Sequence, residues 1–171
     1  MKLIMMFSIA CGALGLACSS SDTTPAGSGA GEIDAAQAKQ VASTVAPGTA
    51  GEPTKLDKGD EHRWVVNVKV ANGATVAVEI SRAGGVVEEI KGTEKPFDYE
   101  LPAPAAGQLP YAQAKAKALA LKTGAVEQWE VKPPENQYEF YVRDANERLW
   151  EIKLTADKGE TKSVEEKAVA D

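Results

Sequence analysis

The chain has 171 residues, of which 43% are hydrophobic and 26% charged, with a formal net charge of −6 and one histidine. Both cysteines and all three methionines lie within the first 18 residues, which excludes a disulfide framework or a cysteine-based metal centre from the remainder. Nucleic-acid binding is excluded as well, because phosphate affinity comes from clustered Lys and Arg, and no basic stripe interrupts the acidic balance.

Met1 and Lys2 open a short positive region, and an almost wholly apolar or small run from Leu3 to Leu16 follows before Ala17 and Cys18. That is the pattern of a secretory signal peptide over residues 1–17. The run is about 15 residues, shorter than the ~20 that a membrane-crossing helix needs. A small residue before a cysteine at the end of such a run resembles the processing site of bacterial lipoproteins, although Gly15 stands where leucine is usual. The resemblance implies lipidation at Cys18, and with it a membrane partner held through the lipid anchor. Ser19 in place of aspartate after the cysteine points to an outer-membrane destination facing the periplasm. The alternatives are plain secretion with Cys18 unmodified and processing at Cys11. Residues 18–32 hold small and polar side chains with no large apolar group, which reads as a flexible tether.

After the tether, Asp34 is placed as an N-cap, and Ala35, Ala38, Ala42 and Val45 share one face at helical spacing before Pro47–Gly48 ends the helix. A weak strand signal spans Thr54 to Asp57. Trp64, Val66, Val68 and Val70 alternate with more polar residues, Asn72–Gly73 marks a hairpin, and Thr75 to Ile80 alternates again. Gly84–Gly85 turns the chain into a further strand near Val86 to Ile90. Residues 92–108 contain Pro96, Pro102 and Pro104 among Ala and Gly, the composition of a linker.

Beyond it, Pro110 suits the first helical position and Tyr111, Ala114, Ala118 and Leu121 form one face. Strands are expected around Val126 to Val131, Tyr138 to Val142, Leu149 to Leu154 and Glu160 to Val164. Ala36–Gln37–Ala38–Lys39 recurs as Ala112–Gln113–Ala114–Lys115, and Trp64, Val66 and Val68 align with Tyr138, Phe140 and Val142. This suggests a duplication. The expected fold is α+β: two tandem repeats, over 33–91 and 109–165, each one helix packed on an antiparallel four-stranded meander sheet, with a tail over 166–171.

The helical A-x-x-x-A of Ala114 and Ala118, the meander, and the turn at Asp157, Lys158 and Gly159, one residue shorter than a D-x-x-G, resemble the PepSY domain. Ala38, Ala42, Gly84 and Gly85 match it in the first repeat, where no aspartate precedes the glycines. PepSY domains occur in propeptides of thermolysin-type metalloproteases and in envelope proteins. The resemblance therefore implies a binding protein whose partner is a protein, with a peptidase as the prime candidate, and it carries no catalytic residue across.

Catalytic equipment is sparse. His62 lies between Glu61 and Arg63 in a charged turn, the setting of an exposed polar residue and not of a general base. Glu88–Glu89, Glu165–Glu166 and Asp60–Glu61 lack the alternating oxygen ligands of a calcium loop, and one histidine cannot build a zinc site. No cofactor, metal or small-molecule substrate is indicated. For partner contact, Tyr141 is expected exposed on the strand face opposite Phe140, while Phe97 and Tyr99 in the linker either staple the halves or project as a recognition segment. Trp64, Tyr138 and Trp150 are assigned to the core, while Trp129 stands with Tyr141 among the aromatics that could anchor a protein partner. The reading is a non-enzymatic envelope lipoprotein that binds a protein and inhibits or modulates a peptidase. Its alternative is a structural or sensory envelope lipoprotein with no peptidase role.

Overall fold

Asp34 begins the first helix by satisfying backbone donors that would otherwise lack partners. Its carboxylate accepts the Gln37 N–H at 2.8 Å while the Gln37 side chain accepts the Asp34 N–H at 2.9 Å, a reciprocal capping box. The helix, α1 (Ala35–Val45), buries Ala38, Ala42 and Val45, spaced four and three residues apart on one face. Just ahead of it, Ile33 is pinned to the sheet by its own N–H to the Arg82 carbonyl at 2.8 Å and by the Trp64 indole N–H on its carbonyl at 3.0 Å.

The computed structural model describes residues 31–170; the signal peptide over 1–17, Cys18 and the tether as far as residue 30 lie outside the described residues. After α1 come the strands β1 (Gly48–Ala50), β2 (Thr54–Lys58), β3 (Glu61–Val70), β4 (Thr75–Ser81) and β5 (Val87–Gly92). The second helix is α2 (Tyr111–Leu121), followed by β6 (Ala125–Lys132), a 3-10 turn at Pro133–Glu135, β7 (Gln137–Arg143), β8 (Leu149–Thr155) and β9 (Thr161–Lys167). Turn chemistry agrees with the sequence: Gly73, Gly84, Gly85 and Gly159 all hold positive φ, between 65° and 85°, which side chains with a Cβ rarely adopt.

The expectation of two tandem helix-plus-four-strand repeats is overturned. All nine strands form one antiparallel sheet in the order β1-β3-β4-β5-β6-β7-β8-β9, with β2 also paired to β3. The first half contributes five strands, not four, because a break at Glu52–Pro53 leaves β1 and β2 as separate partners of β3. β5 pairs with β6 through Ile90↔Val131 and Lys91↔Glu130, joining the halves by backbone hydrogen bonds. Two separate meanders would leave β5 and β6 as open edges, with unpaired backbone donors and acceptors in solution. Pairing them removes both edges. It also keeps every apolar row on one face: Trp64↔Ile80, Val78↔Ile90, Ile90↔Val131, Trp129↔Phe140 and Phe140↔Ile152 are all cross-strand partners. A single core results, and α1 and α2 both cover that face.

Residues 93–110 are part of this core. The segment crosses the apolar face as a strap, with Phe97, Tyr99 and Leu101 buried. Its rings join those of the second half: Tyr99 to Trp129 at 5.6 Å between centroids, Tyr99 to Tyr111 at 5.2 Å, and Tyr111 to Trp129 at 4.4 Å. The Phe97 carbonyl accepts from Tyr111 Oη and from Lys115 Nζ, each at 2.8 Å. Asn72 Nδ2, from the β3–β4 turn, donates to the carbonyls of Pro96 and Asp98. The strap therefore bonds to both halves. Gly92 leaves β5 where a Cβ would collide with the Trp129 indole nitrogen and the Phe97 ring, so glycine is required for close approach there.

Candidate binding surfaces

The alternation that buries one face of the sheet places Arg63, Glu79, Lys91, Glu130, Glu139, Lys153 and Lys167 on the other, which no helix covers among the described residues. These side chains form a ladder of opposite charges across the strands. Glu79 receives Arg63 at 3.0 Å and Lys91 at 2.8 Å, and Lys91 also reaches Glu89 at 2.7 Å. Burial alone would raise the Glu79 carboxyl above its ordinary value, but hydrogen bonds and charge from Lys91 and Arg63 outweigh it and hold the group low. Lys132 meets Glu130 at 2.6 Å.

Across β7, β8 and β9 the arrangement changes. Tyr141 Oη lies 2.7 Å from Glu139 Oε1 and 2.9 Å from Glu151 Oε1. Lys153 approaches Glu139 at 3.5 Å and Glu151 at 3.2 Å, and Lys167 approaches Glu151 at 3.1 Å. Glu139 is 6% exposed and Glu151 1%, so neither presents its carboxyl to a substrate in solution. Chemically, this face suits electrostatic recognition of another surface better than proton transfer to a bound molecule.

Two grooves open on the helix side, on either flank of residues 98–100 of the strap. One, of about 440 Å³, runs beside α2 and has Tyr99, Tyr111 and Leu119 as its apolar lining with Asp98, Glu100 and Lys115 around them. The other, of about 460 Å³, lies toward the β3–β4 turn between Pro47, Val70, Asn72 and Leu101.

Tyr141 does lie on the face opposite Phe140, yet it is 1% exposed, enclosed by the two carboxylates. Phe97 and Tyr99 are 9% and 4% exposed and staple the strap to the core instead of projecting from it. None of the three side chains forms an exposed patch. Cys18 lies outside the described residues. His62 sits at a sheet margin with Nδ1 2.7 Å from Asp57 Oδ1, its cross-strand partner, and Asp57 is also held by Arg82 at 2.9 Å. The hydrogen bond from His62, opposed by desolvation and aided by Arg82, lowers Asp57. That cluster ties β2 to β3, and Arg82 in turn pairs with Glu32 ahead of α1. Trp64, Trp129 and Tyr138 are buried; Trp150 is only partly so, with Lys122 Nζ 3.3 Å from its ring centroid and its indole N–H donated to Asp144 at 3.0 Å. Among the described residues no three His, Cys, Asp or Glu side chains gather as a metal site. The sequence reading missed the Glu139–Tyr141–Glu151 group. The only signal for it is the polar alternation of β7 and β8, which becomes a contact once the strands are in register.

Residues 108–165 match the PepSY family, described as the peptidase propeptide and YPEB domain. The match runs from the residues before α2 into β9 and does not include the first half. Two solved structures are similar to the chain. One is a candidate lipoprotein from Clostridium difficile 630, at 19% identity over 67% of this chain and 80% of that one, with a TM-score of 0.35. The other is the Bacillus megaterium YpeB C-terminal domain, at 12% identity over 80% of this chain and 98% of that one, with a TM-score of 0.36. No curated protein matches the chain.

Proposed function

We propose that the chain, whose residues 108–165 match the PepSY family, is a non-enzymatic binding protein of the bacterial envelope that inhibits or modulates a peptidase by surface contact. The observation that carries this reading is the match of residues 108–165 to a domain of peptidase propeptides, a role that requires a shaped, rigid surface and no reacting groups. The broad helix-free face, with its cross-strand ladder of charges, supports it, since complementary charge sets partner choice and association rate. Mixing the purified chain from Ser19 onward with thermolysin-type and envelope peptidases is expected to give a complex and reduced cleavage. Cleavage unchanged at saturating protein, with no complex, would remove the peptidase from the reading. Capture of cell-wall or signalling proteins instead would favour a structural or sensory role.

Anchoring is the second part of the proposal. Lipid attached at Cys18 would hold the domain at the outer membrane facing the periplasm, with residues 19–32 as its tether. Replacing Cys18→Ala is expected to move the protein from the membrane fraction to the soluble fraction. An unchanged distribution would contradict lipidation at that residue.

A further inference from the structure

A phenolic hydroxyl carries one proton, and an ionised carboxylate carries none. Tyr141 Oη nevertheless stands within hydrogen-bond distance of an oxygen of Glu139 and an oxygen of Glu151, at 2.7 and 2.9 Å, and all three side chains are buried. With both carboxylates ionised, one of those two short contacts has no hydrogen in it and sets a phenolic oxygen against an anion in a site shielded from water. The contacts are satisfied together when one carboxyl is protonated.

We propose that Glu139, Tyr141 and Glu151 share one extra proton at pH values where exposed glutamates are ionised, with Glu139 O–H donating to Tyr141 Oη and Tyr141 O–H donating to Glu151, so that the helix-free face of β7, β8 and β9 responds to pH. The surrounding charges assign the proton to Glu139. Glu151 is the better-served anion: its Oε1 faces Lys153 at 3.2 Å and its Oε2 faces Lys167 of β9 at 3.1 Å. Glu139 meets Lys153 at 3.5 Å and the Gln137 amide at 3.5 Å, and its partner across β6 is Glu130, a like charge whose own cation is Lys132. The other groups on this side are Gln128 of β6, Arg143 of β7, which turns away to the Glu147 carbonyl, and Glu165 of β9, which lies 3.6 Å from Lys167. Desolvation, the Glu151 contact and Glu130 all push Glu139 upward, against Tyr141 and Lys153. For Glu151, burial is outweighed by the hydrogen bonds from Lys167, Tyr141, Glu139 and Lys153, which hold it at about 2.

The linkage has a definite sign. A carboxyl that is harder to ionise in the folded chain contributes stability that is full below its unfolded value and is lost as pH rises through the folded value. Deprotonating Glu139 leaves two anions around one hydroxyl hydrogen, and relief requires the side chains, or the pairing of β7 with β8, to give way.

The test is a carbon-13 carboxyl titration of the whole folded chain labelled at glutamate, with resonances assigned from Glu139→Gln and Glu151→Gln. The Glu139 resonance is expected to titrate above the exposed glutamates, and to move back toward them in Glu151→Gln, where the neighbouring charge is gone. Glu139→Gln imitates the protonated acid and keeps a donor toward Tyr141. Its melting temperature should lack the decline that the unsubstituted protein shows as pH rises through the folded value of Glu139. Titration of Glu139 together with the exposed glutamates, or the same decline with rising pH in Glu139→Gln, would overturn the proposal. Should Glu151→Gln fail to fold, the titration of the unsubstituted protein decides alone.

Discussion

The two ends of the sheet solve the same packing problem with different side chains. Around α1 the core is aliphatic, built from Val66, Val68, Val76, Val78, Ile80 and Ile90 against a face of alanines, with Trp64 at its margin. Around α2 it is aromatic, built from Tyr111, Trp129, Tyr138 and Phe140 with Phe97 and Tyr99 of the strap. The helices are secured differently as well. A capping box on Asp34 supports α1 locally, whereas α2 begins at Pro110 with no side-chain cap and is anchored by the Tyr111 hydroxyl on the strap. Helices this short are marginal in isolation, so each depends on docking; the first adds a local device and the second a borrowed one. Their buried carboxylates diverge too. Glu79 is held by two cations, while Glu139 and Glu151 contend for one hydroxyl.

Substitutions should expose that contrast. The largest loss is expected from Trp129→Ala, which empties the centre of the aromatic cluster beneath the strap and should cost about 3–5 kcal/mol in urea unfolding. Gly92→Ala comes next at about 1–3 kcal/mol, because the added methyl collides with Trp129 and Phe97; a neutral result would mean that the strap is not seated there. Asp34→Ala should cost about 1 kcal/mol by removing the cap of α1, and α2 offers no equivalent side chain to remove. The last effect is one of slope. Lys91 and Arg63, working against burial, keep Glu79 below 4.5, so its contribution is present above that value and fades as the pH falls. Melting temperatures measured against pH should therefore show a shallower acid limb in Glu79→Gln than in the parent, with the alkaline limb unchanged.

Much of the local structure was legible from neighbouring residues. Asp34 announced its cap, Asn72–Gly73 its hairpin, and the alternation through Trp64, Val66 and Val68, or Tyr138, Phe140 and Val142, the buried face. The single sheet was not legible, because pairing Ile90 with Val131 depends on which strand edges meet after the chain between them has folded over the core. Similar apolar spacing in two segments describes which face each strand buries and says nothing about whether the strands share a sheet. The strap escaped for a compositional reason: its prolines and alanines read as a linker, although Phe97, Tyr99 and Leu101 stand at alternate positions. Alternation places Tyr141 on the face opposite Phe140, but its burial follows from Glu139 and Glu151 closing over it from the same strand and the next.

One core spans both halves of the sheet. Trp64 lies in the first half and Trp129 in the second, so variants that retain one or the other, with Phe elsewhere, give each half its own fluorescence reporter. Urea unfolding followed at each reporter and by far-ultraviolet circular dichroism should yield coincident transitions with one midpoint, as a single cooperative unit requires. Separate midpoints, with one half melting while the other keeps its native signal, would contradict it.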